Sequence, residues 1–497
     1  MKRLKKSRLV ILTLLTCIHL IAGPEANLPL TTAATVDSQN AAAIESFEKF
    51  ANRAMAAYHV PGWSIALIKD GTVIYTKGFG YRDVERKLPV TPETIFGIAS
   101  CSKSFTATAL GILVNQGKVD WDTPIKSYLP DFAMYDKAAT EQLSIRDCLC
   151  HRSGLPGYDC FWSRFTSRAE LIANLRYLKP TAGFREKYQY NNLMYVLAGH
   201  VLETITGMPW EVFVQQYITI PFGMRSTFFS SSVVPTHPNA ALAYEYDNAQ
   251  QVFKRVNYFN MDLIGPACSI LSNALDMAQW VIMHLQNNKI NSEIHKPQIL
   301  MEQGDDSYYC FGWFRILLAG DEFVIHRGGE IGISSLMAFI PKRHMGFVVL
   351  SNIQDDENAF VTLLAQYAHA ALSQNQTAMQ KYEVGLLRRE AANKILSTQK
   401  EAFRVITPTQ VAQFVGTYHN DIFGDYVINI NNATLTCSYG LEPCIFDLDV
   451  VDNNTLKELD GEWVFRFERD SSNIPDRFDI DIEEGCPYTF VKTVTGN

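Results

Sequence analysis

The chain has 497 residues, 47% of them apolar and 19% charged, and a formal net charge of −8. That composition describes a globular protein with more than one core, and it excludes a low-complexity, disordered or repeat chain. Nucleic-acid binding is not expected of an acidic protein with no dense basic block outside its N-terminus.

Lys2, Arg3, Lys5, Lys6 and Arg8 precede an apolar run from Leu9 to Ala22, too short for a comfortable membrane span and suited to the core of a signal peptide. Residues 1–26 are therefore expected to be a signal peptide, with an uncleaved N-terminal anchor as the alternative. The protein is then exported, periplasmic or secreted, and meets a membrane only if this segment is retained. Residues 27–40 read as a flexible leader. Ten cysteines are present, and loss of Cys17 leaves an odd number, hence at least one free thiol. Cys437 and Cys444 are placed to bridge a hairpin, and Cys148, Cys150 and Cys160 cluster; buried free thiols explain them equally well. Cys148-Leu-Cys150-His151 has no second ligand pair at a finger-like spacing, so no metal is expected.

From Ala41 to Tyr58, apolar residues at Ile44, Phe47, Phe50, Ala51, Ala54 and Met55 predict an amphipathic helix, ended by Pro61-Gly62. Trp63–Lys69 and Thr72–Lys77, joined by Asp70-Gly71, predict a β-hairpin. A buried helix is expected from about Ser100 through Val114. Others are expected over Leu143–Cys150, Arg168–Leu178, Asn192–Thr206, Trp210–Tyr217 and Ser269–Gln286, the last capped by Ser272 or Asn273. Phe222–Pro266 reads as irregular and aromatic, a candidate substrate-binding wall. Strand periodicity marks Gly312–Leu318, Phe323–His326, Ser335–Ile340 and Gly346–Leu350, and Phe360–Leu372 closes as a helix. Strands from both ends of this stretch most simply form one antiparallel sheet flanked by helices, with a helical insertion. Residues 41–375 are thus expected to be one α+β domain. Residues 376–405 read as a helical linker. Residues 406–497 turn to short strands, among them Tyr426–Ile430, Thr434–Cys437, Trp463–Phe467, Phe478–Ile482 and Tyr488–Val491, as in a small barrel or sandwich.

Three segments carry chemistry. In Ser100-Cys101-Ser102-Lys103, a serine needs a neighbour to take its proton, and a lysine three residues on shares its helix face. Burial lowers a lysine's pKa, and a helix start favours charge developing on oxygen. By itself the tetrad is as well explained by a helix cap and a solvated lysine. In Tyr188-Gln-Tyr190-Asn191-Asn192, Tyr190 and Asn192 flank one residue and point the same way in an extended turn; the bland alternative is an aromatic loop with an N-cap asparagine. In His326-Arg327-Gly328-Gly329, glycines at a strand end let a substrate backbone approach, and exposed N–H groups can bind an oxyanion. A lone histidine there is more often structural.

In this order, the three resemble the S-x-x-K, Y-x-N and H/K-x-G boxes of the β-lactamase-related serine hydrolases, which include class C β-lactamases, D,D-peptidases, D-aminopeptidases and esterases. Val60-Pro-Gly-Trp-Ser64, Phe96-Gly-Ile-Ala-Ser100, His151-Arg-Ser-Gly-Leu-Pro156 and Gly265-Pro-Ala-Cys-Ser-Ile-Leu-Ser272 fit the same resemblance. It implies a β-lactamase/transpeptidase-like α+β domain, followed by the small β-barrel that some members append. It implies Ser100 as the acylated nucleophile, Lys103 in a shared proton network and Tyr190 in the place of the class C general base, with the choice of formal base between Lys103 and Tyr190 left open. Asn192, His326 and Gly328 would contact substrate, and the backbone N–H groups of Ser100 and Gly329 would form the oxyanion hole. No cofactor is implied, the partner is a small-molecule or peptide substrate, and the oligomeric state is left open. One departure matters. The third box usually carries lysine in β-lactamases and D,D-peptidases, whereas a histidine, with a pKa of about 6.5, anchors a carboxylate weakly above neutrality. The expectation is an acyl-enzyme serine hydrolase acting on an ester, amide or peptide, including peptides with D-residues. Its alternatives are a β-lactamase or D,D-carboxypeptidase and, from another class, a non-catalytic scaffold that keeps the pocket.

Overall fold

The computed structural model describes residues 38–248, 250–302, 306–354, 359–396, 411–431, 434–441, 443–459, 463–483 and 486–493. The expected signal peptide and most of the leader lie outside the described residues, as does the end of the expected linker. No described helix is long and apolar enough to cross a membrane. The chain divides into two compact units: residues up to Thr123 with Ser144–Cys150 and Ala198–Lys400, and Pro124–Leu143 with His151–Leu197 and Glu401–Asn497.

In the first unit, all residues from Gly62 to Ile68 are buried along β1 (Gly62–Lys69). A strand buried on both faces lies inside a helix–sheet–helix layer. Asp70 and Gly71 have φ of 51° and 72°, as a type I′ turn requires, and reverse the chain into β2 (Thr72–Asp83). The sheet gains β3 (Leu88–Pro89), β4 (Ile299–Leu300), β5 (Tyr308–Tyr309), β6 (Phe314–Leu318), β7 (Asp321–Glu330), β8 (Ile333–Ile340) and β9 (Met345–Ser351). Its nine strands run β3-β2-β1-β9-β8-β7-β6-β5-β4, each neighbour antiparallel. The two ends of the domain sequence meet where Trp63 pairs with Ser351.

The longer helices are α1 (Ser38–Ala57), α2 (Lys103–Asn115), α3 (Asn192–Thr206), α4 (Ala274–Leu285), α5 (Ala359–Leu372) and α6 (Gln376–Leu396). Helices α1 and α5 cover one face, with Phe47, Phe50, Phe360 and Leu364 packed against Trp63, Leu336 and Phe347. Helices α2 and α4 meet on the other, where Phe105 stacks on Trp280 at 4.0 Å and the Trp280 indole N–H donates to Ser104 Oγ at 2.9 Å. Two expectations are corrected here. Phe222–Pro266 contains a hairpin, Ala243–Asp247 with Val252–Val256. Ser269–Gln286 is helical only after Leu271–Ser272 has paired with Phe96–Gly97, and Asn273 caps it by accepting from Asp276 N–H at 2.8 Å. The nine described cysteines are thiols, so neither candidate bridge forms among them.

In the second unit, β10 (Gly416–Asn420), β11 (Gly424–Asn431), β12 (Thr434–Tyr439), β13 (Cys444–Asp452), β14 (Thr455–Glu458), β15 (Val464–Arg469), β16 (Pro475–Glu483) and β17 (Cys486–Lys492) close into a barrel, not a sandwich. Alternate residues of β16 and β17 turn inward, and Phe478 stacks on Phe490 at 5.0 Å. Closure gives each strand a neighbour on both sides, which removes the edges of an open sheet. The loop after His151 lies against this barrel: Leu441 N–H donates to the Ser163 carbonyl at 2.9 Å, and Arg164 donates to the Asp421 carbonyl at 2.9 Å.

Candidate active site

Ile98 N–H donates to the Ile270 carbonyl at 2.9 Å, extending the short Phe96–Gly97 pairing up to the S-x-x-K segment. Ala99–Ser102 then forms a 3₁₀ turn, and α2 begins at Lys103, so Ser100 precedes the α-helix instead of opening it. In a 3₁₀ turn, residues three apart eclipse each other. Lys103 Nζ accordingly donates to Ser100 Oγ at 2.9 Å. Ala99 has φ +42°, a left-handed conformation that costs a non-glycine residue about 1–2 kcal/mol. Lys103 is fully buried and also donates to the Ala267 carbonyl at 3.2 Å. The neighbouring Pro266 carbonyl is held too, because Thr106 Oγ1 donates to it at 2.6 Å. The adjacent Cys101 does not compete as a nucleophile: burial pushes its thiol up to about 12.

The third box closes over this turn. Strand β6 pairs with β7 only as far as Ile325, so residues 326–330 keep β8 as their sheet neighbour on one side. Gly328 lies so close to the 3₁₀ turn that a Cβ on it would fall 2.2 Å from the Ile98 carbonyl oxygen, 2.4 Å from Ser335 Oγ and 3.0 Å from Ser100 N. Expected as a substrate contact, Gly328 is what admits β7 against the backbone of Ile98 and Ser100. Ser335 Oγ locks the same junction by donating to the Ile98 carbonyl at 2.7 Å. Gly329 follows on β7, paired with Ser334.

His326, expected as a substrate contact that anchors a carboxylate only weakly, is turned into the protein. Its side chain is buried, Nδ1 donates to the Arg327 carbonyl at 2.7 Å, and Nε2 accepts from the Tyr309 hydroxyl at 3.1 Å. With both ring nitrogens engaged inside the protein, it is a structural group. Burial, then the nearby Lys103 ammonium, pushes its pKa down to about 3. Burial likewise pushes His295, hydrogen-bonded to His284 at 3.0 Å, down to about 3. A histidine held neutral in the fold stabilises it fully above the unfolded pKa of about 6.5, and this contribution is lost progressively as pH falls toward 3. By pH 5 the loss is on the order of 2 kcal/mol per histidine. Thermal unfolding at pH 7.5, 6 and 4.5 is expected to show midpoints falling at each step, with a shallower fall in His326→Gln. Equal midpoints at the three pH values would count against this account.

Tyr190 and Asn192 belong to the second unit. The Tyr190 ring lies 4.4 Å from that of the buried His151, whose Nδ1 accepts from Asn191 N–H at 3.1 Å. Asn191, not Asn192, caps α3, accepting from Met194 N–H at 3.0 Å, while its own amide donates to the Pro156 carbonyl. Asn192 donates to Asp159 Oδ1 at 2.7 Å. The supporting roles of His151, Asn191, Asp159 and Ala267 are not visible in the sequence, although His151 and Ala267 lie in segments that carry the resemblance.

Comparison with known proteins agrees with this geometry. Residues 47–372 match the family model described as Beta-lactamase. Unguisins hydrolase ungD' of Aspergillus campestris (strain IBT 28561) is 30% identical over 356 residues, covering 66% of this chain and 64% of that protein, so the chain spans less than two thirds of that relative's length. Protein flp of Staphylococcus aureus (strain MW2) is 23% identical over 363 residues, covering 70% of this chain and 68% of flp. The structure of the octameric penicillin-binding protein homologue from Pyrococcus abyssi shares the fold with a TM-score of 0.59 at 24% identity, covering 90% of this chain and 100% of that one. With a serine–lysine pair eclipsed at the head of a buried helix and a glycine strand pressed against it, the chain belongs to the beta-lactamase family.

Proposed function

We propose that this hydrolase cleaves an ester, amide or peptide bond through an acyl-enzyme on Ser100. The observation that carries the reading is the buried Lys103 Nζ, 2.9 Å from Ser100 Oγ in a turn of fixed backbone. Ser100 Oγ attacks the substrate carbonyl as its proton moves to a neutral Lys103 amine or a Tyr190 phenolate, and the group so protonated then gives the proton to the leaving group. The N–H groups of Ser100 and Gly329 receive the oxyanion, each worth about 2.7–4 kcal/mol. Asn192 orients the substrate amide, and a water then attacks the acyl ester with Tyr190 as its base.

Two features support an ester or amide over a penicillin. The imidazole of the third box is neutral and closed off, so it offers no cation to a carboxylate. The pocket reaching Ala99 is lined mainly by apolar groups, among them Tyr258, Met261, Leu271 and Ile333, with Glu330 as its acid. Among the described residues no cation lines this crevice, so it disfavours an anionic group. The relative named an unguisins hydrolase supports hydrolysis as the reaction class. Export, proposed from the run Leu9–Ala22, would place that reaction outside the cytoplasm.

A chromogenic ester, a D-amino-acid anilide and a chromogenic cephalosporin should be assayed side by side with intact-mass spectrometry. The expected result is turnover of the ester or anilide, with an acyl mass on the peptide containing Ser100 and none in Ser100→Ala. Turnover that survives in Ser100→Ala would sink the proposal.

A further inference from the structure

We infer that Glu483 of the C-terminal barrel and Asp159 are positioning residues for hydrolysis, the barrel setting the turn Gly157–Cys160 and that turn aiming Asn192. This rests on the reading of Asn192 as a substrate-binding residue.

The chain of contacts lies within the second unit. Glu483, at the end of β16, accepts from Tyr158 N–H. The Tyr158 hydroxyl donates to the Lys179 carbonyl at 2.8 Å and lies 3.1 Å from the Tyr488 hydroxyl on β17. Both ends of Tyr158 are thereby tied to one barrel hairpin, more than 300 residues away in sequence. The next residue, Asp159, accepts from Asn192 Nδ2 at 2.7 Å. A Cβ at Gly157 would sit 3.3 Å from both the Asp159 and Glu483 carboxylates, so the two acids converge on one turn.

A turn that merely seats the barrel would relax into an ordinary backbone conformation. Tyr158 instead has φ +48°, a left-handed conformation that persists only where the surroundings hold it. Burial, with help from the Asp159 charge, pushes the Glu483 carboxyl above its ordinary range, yet its acceptor stays on the Tyr158 amide. The barrel contact therefore fixes the backbone at the one place that presents Asp159 to Asn192. A small displacement at such a point disturbs substrate alignment more than it disturbs folding.

The test measures kcat and KM on the chromogenic ester, with thermal unfolding, for the full-length protein and its Glu483→Ala, Glu483→Gln, Asp159→Ala and Asp159→Asn variants, and for the double alanine variant. Each alanine variant is expected to lose about tenfold or more in kcat with KM nearly unchanged. The double variant should fall no further than the worse single one, because both act through one turn. Glu483→Gln and Asp159→Asn each keep an acceptor oxygen, so these two variants should retain most of the rate. Unchanged kcat in folded alanine variants, multiplying losses, or amide variants as slow as the alanines would overturn the inference. If wild type turns over through Ser100 and the alanine variants match it, only the barrel's role fails. If wild type acylates no probe, the proposed function fails and takes this inference with it.

Discussion

Lys103→Met is expected to lower kcat/KM on any ester substrate by at least about 10³-fold while leaving the protein folded. Methionine matches the unbranched stem of lysine and fills the same buried space, so packing around α2 survives. Two opposing effects act on stability. The Ala267 carbonyl loses its donor, which costs about 1–3 kcal/mol, and a polar amino group no longer has to be desolvated, which offsets part of that. Activity has no such offset, because the Ser100 hydroxyl loses the amine 2.9 Å from its oxygen. Lys103→Arg should fail as well, since guanidinium is larger and stays protonated. The deciding measurement is ester turnover alongside thermal unfolding: activity within about tenfold of wild type in folded Lys103→Met would remove lysine from the mechanism.

Gly328→Ala is the second large effect. Its added methyl would fall 2.2 Å from the Ile98 carbonyl oxygen, and no rotamer change can move a backbone atom. Either β7 or the 3₁₀ turn must shift by about 1 Å. Overpacking of this kind costs about 1–3 kcal/mol. At the oxyanion donors the same shift should cost about 10²-fold in kcat, because the geometry of Ser100 N–H is set by that junction. Stopped-flow acylation with an activated ester would show it directly. A variant that acylates at the wild-type rate would show that the approach of the two backbones is not what builds the oxyanion hole.

Much of this was legible where the physics is local. Asp70-Gly71 specifies its turn, the apolar run within Trp63–Lys69 specifies a buried strand, and Ser100 to Lys103 specifies a pair on one face in any helical geometry. What the sequence conceals depends on distant partners. That His326 is engaged through Nε2 by Tyr309, which arrives from β5, cannot be read from the box itself. Asn191 and Asn192 are chemically identical neighbours, and only the direction in which α3 starts decides which one caps it. The hairpin at 243–256 escapes a periodicity reading because Glu245, Lys254 and Arg255 dilute its apolar pattern, and β13 escapes it because Asp447, Asp449 and Asp452 do the same. The link from Tyr158 to Glu483 has no sequence signal at all.

The left-handed backbone at Ala99 has a consequence for how the enzyme divides its effort. A relaxed residue there would spare the fold a small penalty, but the hydroxyl one position on would then have to find its heading anew with every substrate molecule. By accepting the distortion once, as it folds, the protein would deliver the proposed nucleophile already aimed, and turnover by that route would not revisit the search.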